Sequence, residues 1–400
     1  MTMRTLMGML VVLGAIALIR IPQKQELRFE EQTIEAELGI GYGVAVADMN
    51  GDRKPDVIAV NENQVRWYEN PTWQKHVIVS DATPRDNVCI AAADIDGDGY
   101  AELALGAHWK PSDTEKSGSV HWLQRQGDPR KPWKVVDLES EPTVHRMRWG
   151  DVDGDRKLEL IMAPLHGRGN KPPAYEGAGS RLTIYRPPAK PDSEPWTREI
   201  ADESMHQTHN FWVGDWSGAP AKSILLAGRE GVHLITRKAD RWQRMLVGEG
   251  SPGEALKRPA GEVRAGRWWR GHRMIAAVEP MHGNTLAVYL QEDSTPAWNR
   301  NVLTDQLGEG HALWCGDLDG KRGDEVVVGW RNPSRDTQRV GVAFYRLSES
   351  RWERILIDDN GMACEDVTAA DLNGDGKLDL IASGRATHNL KIYWNRAAHP

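Results

Sequence analysis

Five segments of this 400-residue chain set side-chain oxygens along a nine-residue loop. DMNGDRKPD starts at Asp48, DIDGDGYAE at Asp94, DVDGDRKLE at Asp151, DLDGKRGDE at Asp317 and DLNGDGKLD at Asp371. In the four intact copies the oxygens fall at positions 1, 3, 5 and 9: Asp48, Asn50, Asp52 and Asp56; Asp94, Asp96, Asp98 and Glu102; Asp151, Asp153, Asp155 and Glu159; Asp371, Asn373, Asp375 and Asp379. The fifth keeps Asp317, Asp319 and Glu325 but puts Lys321 at position 5. Oxygens at this spacing wrap the chain around a hard cation, and Ca²⁺ takes six to eight of them. An EF-hand loop runs twelve residues between helices, whereas these loops are shorter. The expectation is structural Ca²⁺ at about four sites; the alternative is acidic turns that bind nothing.

Imidazoles form the second set. Two further segments, at Asp215 and Arg267, keep the flanking pattern without the acids, giving seven starts. Six residues before each start stand Tyr42, Val88, His145, His209, Gly261, His311 and Glu365. Arg146, Asn210, Glu262 and Asp366 follow at the next position, and 14 or 15 residues after each start come His108, His166, Arg229, His282, Arg331 and Arg385. Histidines at one aligned position suit a transition metal. The expected central site is Zn²⁺ or Mn²⁺ on His145, His209 and His311, with Glu365 as a fourth ligand; the bland reading is a polar, water-filled funnel.

What must position these residues is legible in the flanks. Before each loop runs a short alternating segment such as Val44–Ala47, and after it another such as Pro55–Val60. A third follows, such as Leu390–Tyr393, and a fourth opens on Trp at Trp73, Trp133, Trp196, Trp242, Trp298 and Trp352. Period-two runs of this length read as strands, and a four-strand unit of about 50 residues is a propeller blade. The last repeat lacks its fourth strand, and FEEQTI at Phe29 supplies a spare one. The fold class expected is all-β: one seven-bladed propeller over residues 23–400, closed by an N-terminal strand, with calcium loops on one face. The histidines belong to the opposite face, because the loops after strands two and four lie there together.

Composition bounds the rest. Hydrophobic residues at 40% and charged residues at 27% describe a folded chain. A net charge of −7 argues against a nucleic-acid partner. Cys89, Cys315 and Cys364 cannot build a disulfide framework and are expected as buried thiols. The strand-four tryptophans are expected to pack the core, while Trp109, Trp212, Trp314 and Trp330 lie nearer the funnel and could stack on sugars. Residues 1–22 carry Arg4, an apolar run Leu6–Ile19 and Arg20, the pattern of a signal peptide or N-terminal anchor. An extracytoplasmic location is expected, with membrane contact only through that segment; the oligomeric state is left open.

The D-x-[DN]-G-D-G-x-x-[DE] loop between short strands resembles the FG-GAP/VCBS repeat family, which includes adhesion propellers and enzymes. With a His-rich funnel, the chain also resembles the propeller domains of the aldos-2-ulose dehydratase (1,5-anhydrofructose dehydratase-like) family and, more loosely, propeller polysaccharide lyases. That resemblance implies β-elimination on a keto-sugar or uronide, a carbohydrate-like small molecule. His166 or His282 would act as base, with His108 and Tyr42 as further candidates, and Arg146 or Arg331 would bind the oxyanion. The competing class is a non-catalytic, calcium-stabilised FG-GAP propeller binding glycan or protein.

Overall fold

Seven four-stranded antiparallel sheets hold every strand of the described residues. The computed structural model describes residues 27–252, 259–291, 297–321, 323–348 and 351–397. The expected signal or anchor segment lies outside them. Strand β1 (Phe29–Glu35) precedes the first blade, which comprises β2 (Gly43–Ala47), β3 (Asp56–Val60), β4 (Gln64–Glu69) and β5 (Gln74–Ser80). The second holds β6 (Cys89–Ala93), β7 (Glu102–Ala107), β8 (Ser119–Gln124) and β9 (Lys134–Glu139). The third holds β10 (Val144–Gly150), β11 (Glu159–Pro164), β12 (Leu182–Arg186) and β13 (Thr197–Asp202). The fourth holds β14 (Thr208–Gly214), β15 (Ser223–Gly228), β16 (Gly231–Lys238) and β17 (Arg241–Gly248). The fifth holds β18 (Val263–Arg267), β19 (Arg273–Glu279), β20 (Thr285–Gln291) and β21 (Trp298–Thr304). The sixth holds β22 (Gly310–Gly316), β23 (Glu325–Trp330), β24 (Gly341–Ser348) and β25 (Arg351–Asp359). The last has β26 (Cys364–Ala370), β27 (Asp379–Gly384) and β28 (Leu390–Asn395).

The inner strands touch in cyclic order, β2 to β6, β10, β14, β18, β22, β26 and back to β2. Seven strands converging on one axis leave little room, and GVAVA and CIAAA are correspondingly small. Second strands are covered by neighbouring blades on both faces. Thus ELIMAP, SILLAG, EVVVGW and DLIASG are buried at every position. Outer strands face solvent, and β25 alternates accordingly. The strand-four tryptophans sit at that margin: Trp133 is buried, while Trp73, Trp196, Trp242, Trp298 and Trp352 are half-buried and pack against the core. No helix among the described residues is long and apolar enough to cross a membrane.

Closure follows the expected offset. β1 pairs antiparallel with β28 from Phe29↔Asn395 to Glu35↔Leu390, completing the last blade. Phe29 meets Phe344 of the neighbouring blade edge-on at 6.1 Å. Deleting residues through Glu35 should bare the β28 edge, which is a template for pairing with another chain. Lost burial of Leu27, Phe29 and Ile34 costs about 4 kcal/mol. Size-exclusion chromatography of the truncated protein should therefore show larger assemblies or aggregates than the full chain; an elution volume and melting temperature equal to those of the full chain would refute the role of β1.

Candidate functional site at the propeller axis

The acidic loops are ordered turns. Asp94 accepts the backbone N–H groups of Gly97 and Gly99 at 2.7 and 3.0 Å, Asp96 accepts Asp98 at 3.0 Å, and Asp98 accepts Tyr100 at 2.8 Å. The position-9 residue reaches back to position 2: Asp56 to Met49, Glu102 to Ile95, Glu159 to Val152, Glu325 to Leu318 and Asp379 to Leu372. Gly at position 4 is required, since Gly51, Gly97, Gly154, Gly320 and Gly374 all have positive φ. The turns bring carboxylates together. Asp94, Asp96 and Glu102 offer oxygens within 4.8 Å of one another, as do Asp151, Asp153 and Glu159, and Asp317, Asp319 and Glu325. Burial, then repulsion from loop neighbours, raises the position-9 acids: Asp56 and Glu159 to about 7, Glu102 and Glu325 to about 8. In the loop starting at Asp317, the Lys321 ammonium lies 2.8 Å from Asp319 and supplies positive charge there itself.

At the other end of the inner strands the register slips. The pairing skips from Val144 to Arg146, Thr208 to Asn210, Gly310 to Ala312 and Cys364 to Asp366. His145, His209, His311 and Glu365 are thus each the extra residue of a β-bulge, and bulges re-aim side chains. His209, His282 and His311 place ring nitrogens within 4.8 Å of one another. His209 Nε2 and His282 Nε2 are 2.6 Å apart. His209 Nδ1 lies 3.0 Å from Glu262 Oε1, and Arg331 donates to His282 Nδ1 at 3.3 Å.

His145 stands beside this trio. Its ring is 4.5 Å from that of His209 and 4.8 Å from that of Trp109. His145 Nδ1 donates to the His209 carbonyl at 2.6 Å, and His311 Nδ1 donates to the Glu365 carbonyl at 2.7 Å. Both rings therefore carry their lone pair on Nε2. Burial, with cationic neighbours, holds both imidazoles well below their usual range, so they are neutral. Glu365 is engaged by arginines: Arg331 at 3.0 and 3.2 Å and Arg385 at 2.9 Å. Its carboxylate is 3.8 Å from His311 Nε2 and lies outside the imidazole trio.

His282 reaches the axis from a different element, the β19–β20 loop. The equivalent inner-strand position of its own blade is Gly261, where a Cβ would lie 2.9 Å from Met281 Cα and 3.3 Å from His282 N. The missing side chain makes room for the loop that brings the third imidazole. Gly261→Val should push His282 off the axis without touching a ring, read as a changed His282 imidazole signal in NMR spectra; a signal equal to wild type would show that His282 needs no such room.

The remaining candidates are dispersed. His166 is buried beneath Tyr175, stacked at 3.8 Å, with Gln207 donating to its Nδ1 at 3.2 Å. His108 is half-buried and has positive φ. Tyr42 is buried under Arg385, and burial followed by the charge of Asp86 lifts its phenol to about 12, so it holds its proton. Arg331 is committed to Glu309, Glu365 and His282. Arg146 lines the axial channel on the acidic-loop side. Burial pushes the Cys89 thiol up to about 12 and raises Cys315 and Cys364 as well, so all three are poor nucleophiles.

Comparison with known proteins gives three kinds of likeness. The family model described as aldos-2-ulose dehydratase, beta-propeller domain, matches residues 117–292, a span including His145, His209 and His282. FG-GAP-like and FG-GAP repeat models match residues 48–105 and 90–121. Among curated relatives, aldos-2-ulose dehydratase of Phanerodontia chrysosporium is 27% identical over 340 residues, covering 77% of this chain and 36% of the relative. The chain thus spans about a third of that enzyme's length. Among solved structures, BP39L lectin from Burkholderia pseudomallei superposes with a TM-score of 0.58 at 12% identity, over 91% of this chain and 98% of the lectin. An Agrocybe aegerita lectin described as recognising non-reducing terminal N-acetylglucosamine gives 0.51 at 14% identity, over 80% and 81%. At such identities the lectins establish shared architecture alone. The chain is a seven-bladed β-propeller that resembles FG-GAP repeats over residues 48–121 and the propeller domain of aldos-2-ulose dehydratase over residues 117–292.

Proposed function

We propose that the axial histidines form a carbohydrate lyase centre that eliminates water, or a β-linked alcohol, from a keto-sugar or uronide. The observation that carries this reading is the convergence of His209, His282 and His311 within 4.8 Å, on a chain whose relative is a dehydratase. The donor set suits Zn²⁺ or Mn²⁺. His209 and His311 turn Nε2 to one point, with their outer nitrogens facing Glu262 and a backbone carbonyl as in metal-bound imidazoles; His282 would add its Nε2 lone pair by giving up the 3.3 Å contact of Nδ1 with Arg331. Such a cation, when bound, supplies electrophilic stabilisation of an enolate oxygen.

The chain's own groups do the proton work. His145, neutral and with its lone pair on Nε2, takes the proton from the carbon beside the carbonyl. The C–H electron pair becomes the new double bond as the β C–O bond breaks. Tyr42, which retains its proton to about 12, is suited to protonate the departing oxygen. Arg385, tied to Glu365 and partly exposed, orients the substrate's oxygens. The acidic loops hold Ca²⁺ and brace the inner strands, and the N-terminal segment directs the chain out of the cytoplasm.

The test combines elemental analysis of dialysed protein with ultraviolet detection of a conjugated product from aldos-2-uloses and uronides. About one equivalent of Zn or Mn beside calcium, with product formation, supports the reading. Calcium alone, no product and saturable glycan binding would replace it with the binding-module reading.

A further inference from the structure

The other half of the axis holds a second constellation. Counting three residues beyond each inner-strand bulge position gives Arg148, Trp212, Arg264 and Trp314 on four consecutive blades, with alanine or threonine on the other three. These residues, with Arg146, line a cavity of about 430 Å³ where the inner strands run into the acidic loops. None of the four axial histidines lines it. Its volume lies in the range of small-molecule sites, roughly 300–1,000 Å³.

The charges in it do not balance. Arg146, 5% exposed, leaves Nε and Nη2 without a hydrogen-bond partner. Its one hydrogen bond among the described residues is from Nη1 to the His145 carbonyl at 3.4 Å. Arg264, 7% exposed, donates to the Val263 carbonyl at 2.7 Å and stands 4.0 Å from Glu262. Arg148 donates to Asn210 at 3.1 Å and has no carboxylate at ion-pair distance. The one carboxylate in the lining, Asp366, accepts the N–H groups of Val44 and Val367. Glu262, which accepts the Asn210 amide on Oε2 at 2.5 Å, faces all three arginines, so it and Asp366 set two negative charges against three guanidinium groups. Three guanidinium groups thus crowd a buried space, and burial with the mutual repulsion of Arg264 and Arg146 lowers Arg148 to about 9. A buried guanidinium whose Nε and Nη2 stay unsatisfied is costly, and guanidinium nitrogens are matched by carboxylate or sulfate oxygens.

We infer that this cavity is an oxyanion site, separate from the histidine cluster, in which Arg146, Arg148 and Arg264 hold a sulfate, phosphate or carboxylate group between the walls of Trp212 and Trp314. The oxyanion comes either as a free inorganic ion or as the carboxylate of an acidic sugar. The inference stands whether or not the histidines are catalytic.

The experiment titrates the full, calcium-loaded chain with sodium sulfate and, separately, sodium glucuronate, each against sodium chloride at equal ionic strength. Calorimetry and thermal unfolding are the readouts. Saturable one-to-one binding, weakened about tenfold or more in Arg146→Met and in Arg264→Gln, is the expected result. Sulfate alone marks a resident inorganic ion; glucuronate marks an acidic sugar. If Arg146→Met does not fold, Arg264→Gln carries the test. No binding by the wild-type protein, or binding that both variants retain, overturns the inference.

Discussion

His209→Ala is expected to lower turnover in the proposed elimination by roughly 10² to 10⁴-fold, the usual contribution of a positioned acid–base or ligand group. His209 is the hub of the cluster. Its Nε2 meets His282, its Nδ1 faces Glu262, its carbonyl accepts the hydrogen bond of His145 Nδ1–H and its ring lies 5.1 Å from that of His311. Truncation would also leave Glu262 buried beside a void, at a stability cost of about 1–3 kcal/mol. His209→Gln separates the two effects, since it retains a donor and most of the volume while removing the ring. Loss of turnover in both variants, with near-native melting in His209→Gln, supports a chemical role. Turnover unchanged in both would reduce the cluster to packing.

The same burial sets a pH dependence. His145 and His311 are depressed in the folded chain, so below about 6.5 the unfolded chain takes up protons that the folded one refuses. Their contribution to stability is present above that pH and is lost as pH falls through it. The raised loop acids Asp56, Glu102, Glu159 and Glu325 act in the opposite sense over this range, so the histidine share is read as a difference: between pH 7.5 and 5.5 the urea midpoint should fall further, or rise less, in the wild-type chain than in His145→Gln/His311→Gln, and equal changes would contradict the burial argument.

With calcium in the acidic loops, as proposed, its chelation is the second large expected effect. Sites of extracellular type bind with Kd of roughly 10⁻⁴ M, which at millimolar calcium stabilises by about 1.4 kcal/mol each and about 6 kcal/mol over four loops. With an unfolding entropy of roughly 2 cal/mol/K per residue, that is a fall in melting temperature of about 7 °C on adding EDTA. The loops bridge blades, so the loss propagates: the Ala101 N–H bonds the Asp48 carbonyl, and that of Lys222 bonds the Asp151 carbonyl. Asn70 and Asn395 likewise reach Leu372 and Leu318 of adjacent blades. Calorimetric scans with and without EDTA measure it. Identical scans would return the loops to acidic turns held by their own backbone bonds.

Sequence by itself determined the architecture. A repeated loop with flanking period-two runs dictates identical blades, and a missing last strand matched by a spare first one dictates closure; both are local patterns that recur in the chain. It also placed His145, His209, His311 and Glu365 at one repeat position, because equivalent positions on a ring must face one axis. Only the tertiary structure decided which of those groups meet. Glu365 is drawn off by Arg331 and Arg385, and His166 is capped by Tyr175, contacts that depend on side-chain reach between blades. His282 enters the trio because Gly261 leaves a gap, a matter of volume that no spacing encodes. The channel arginines lay in the same repeat arithmetic, Arg146 one position and Arg148 and Arg264 three positions on from the aligned residues His145 and Gly261. That arithmetic does not show which guanidinium nitrogens lack a partner, because partnership is settled by packing across the axis.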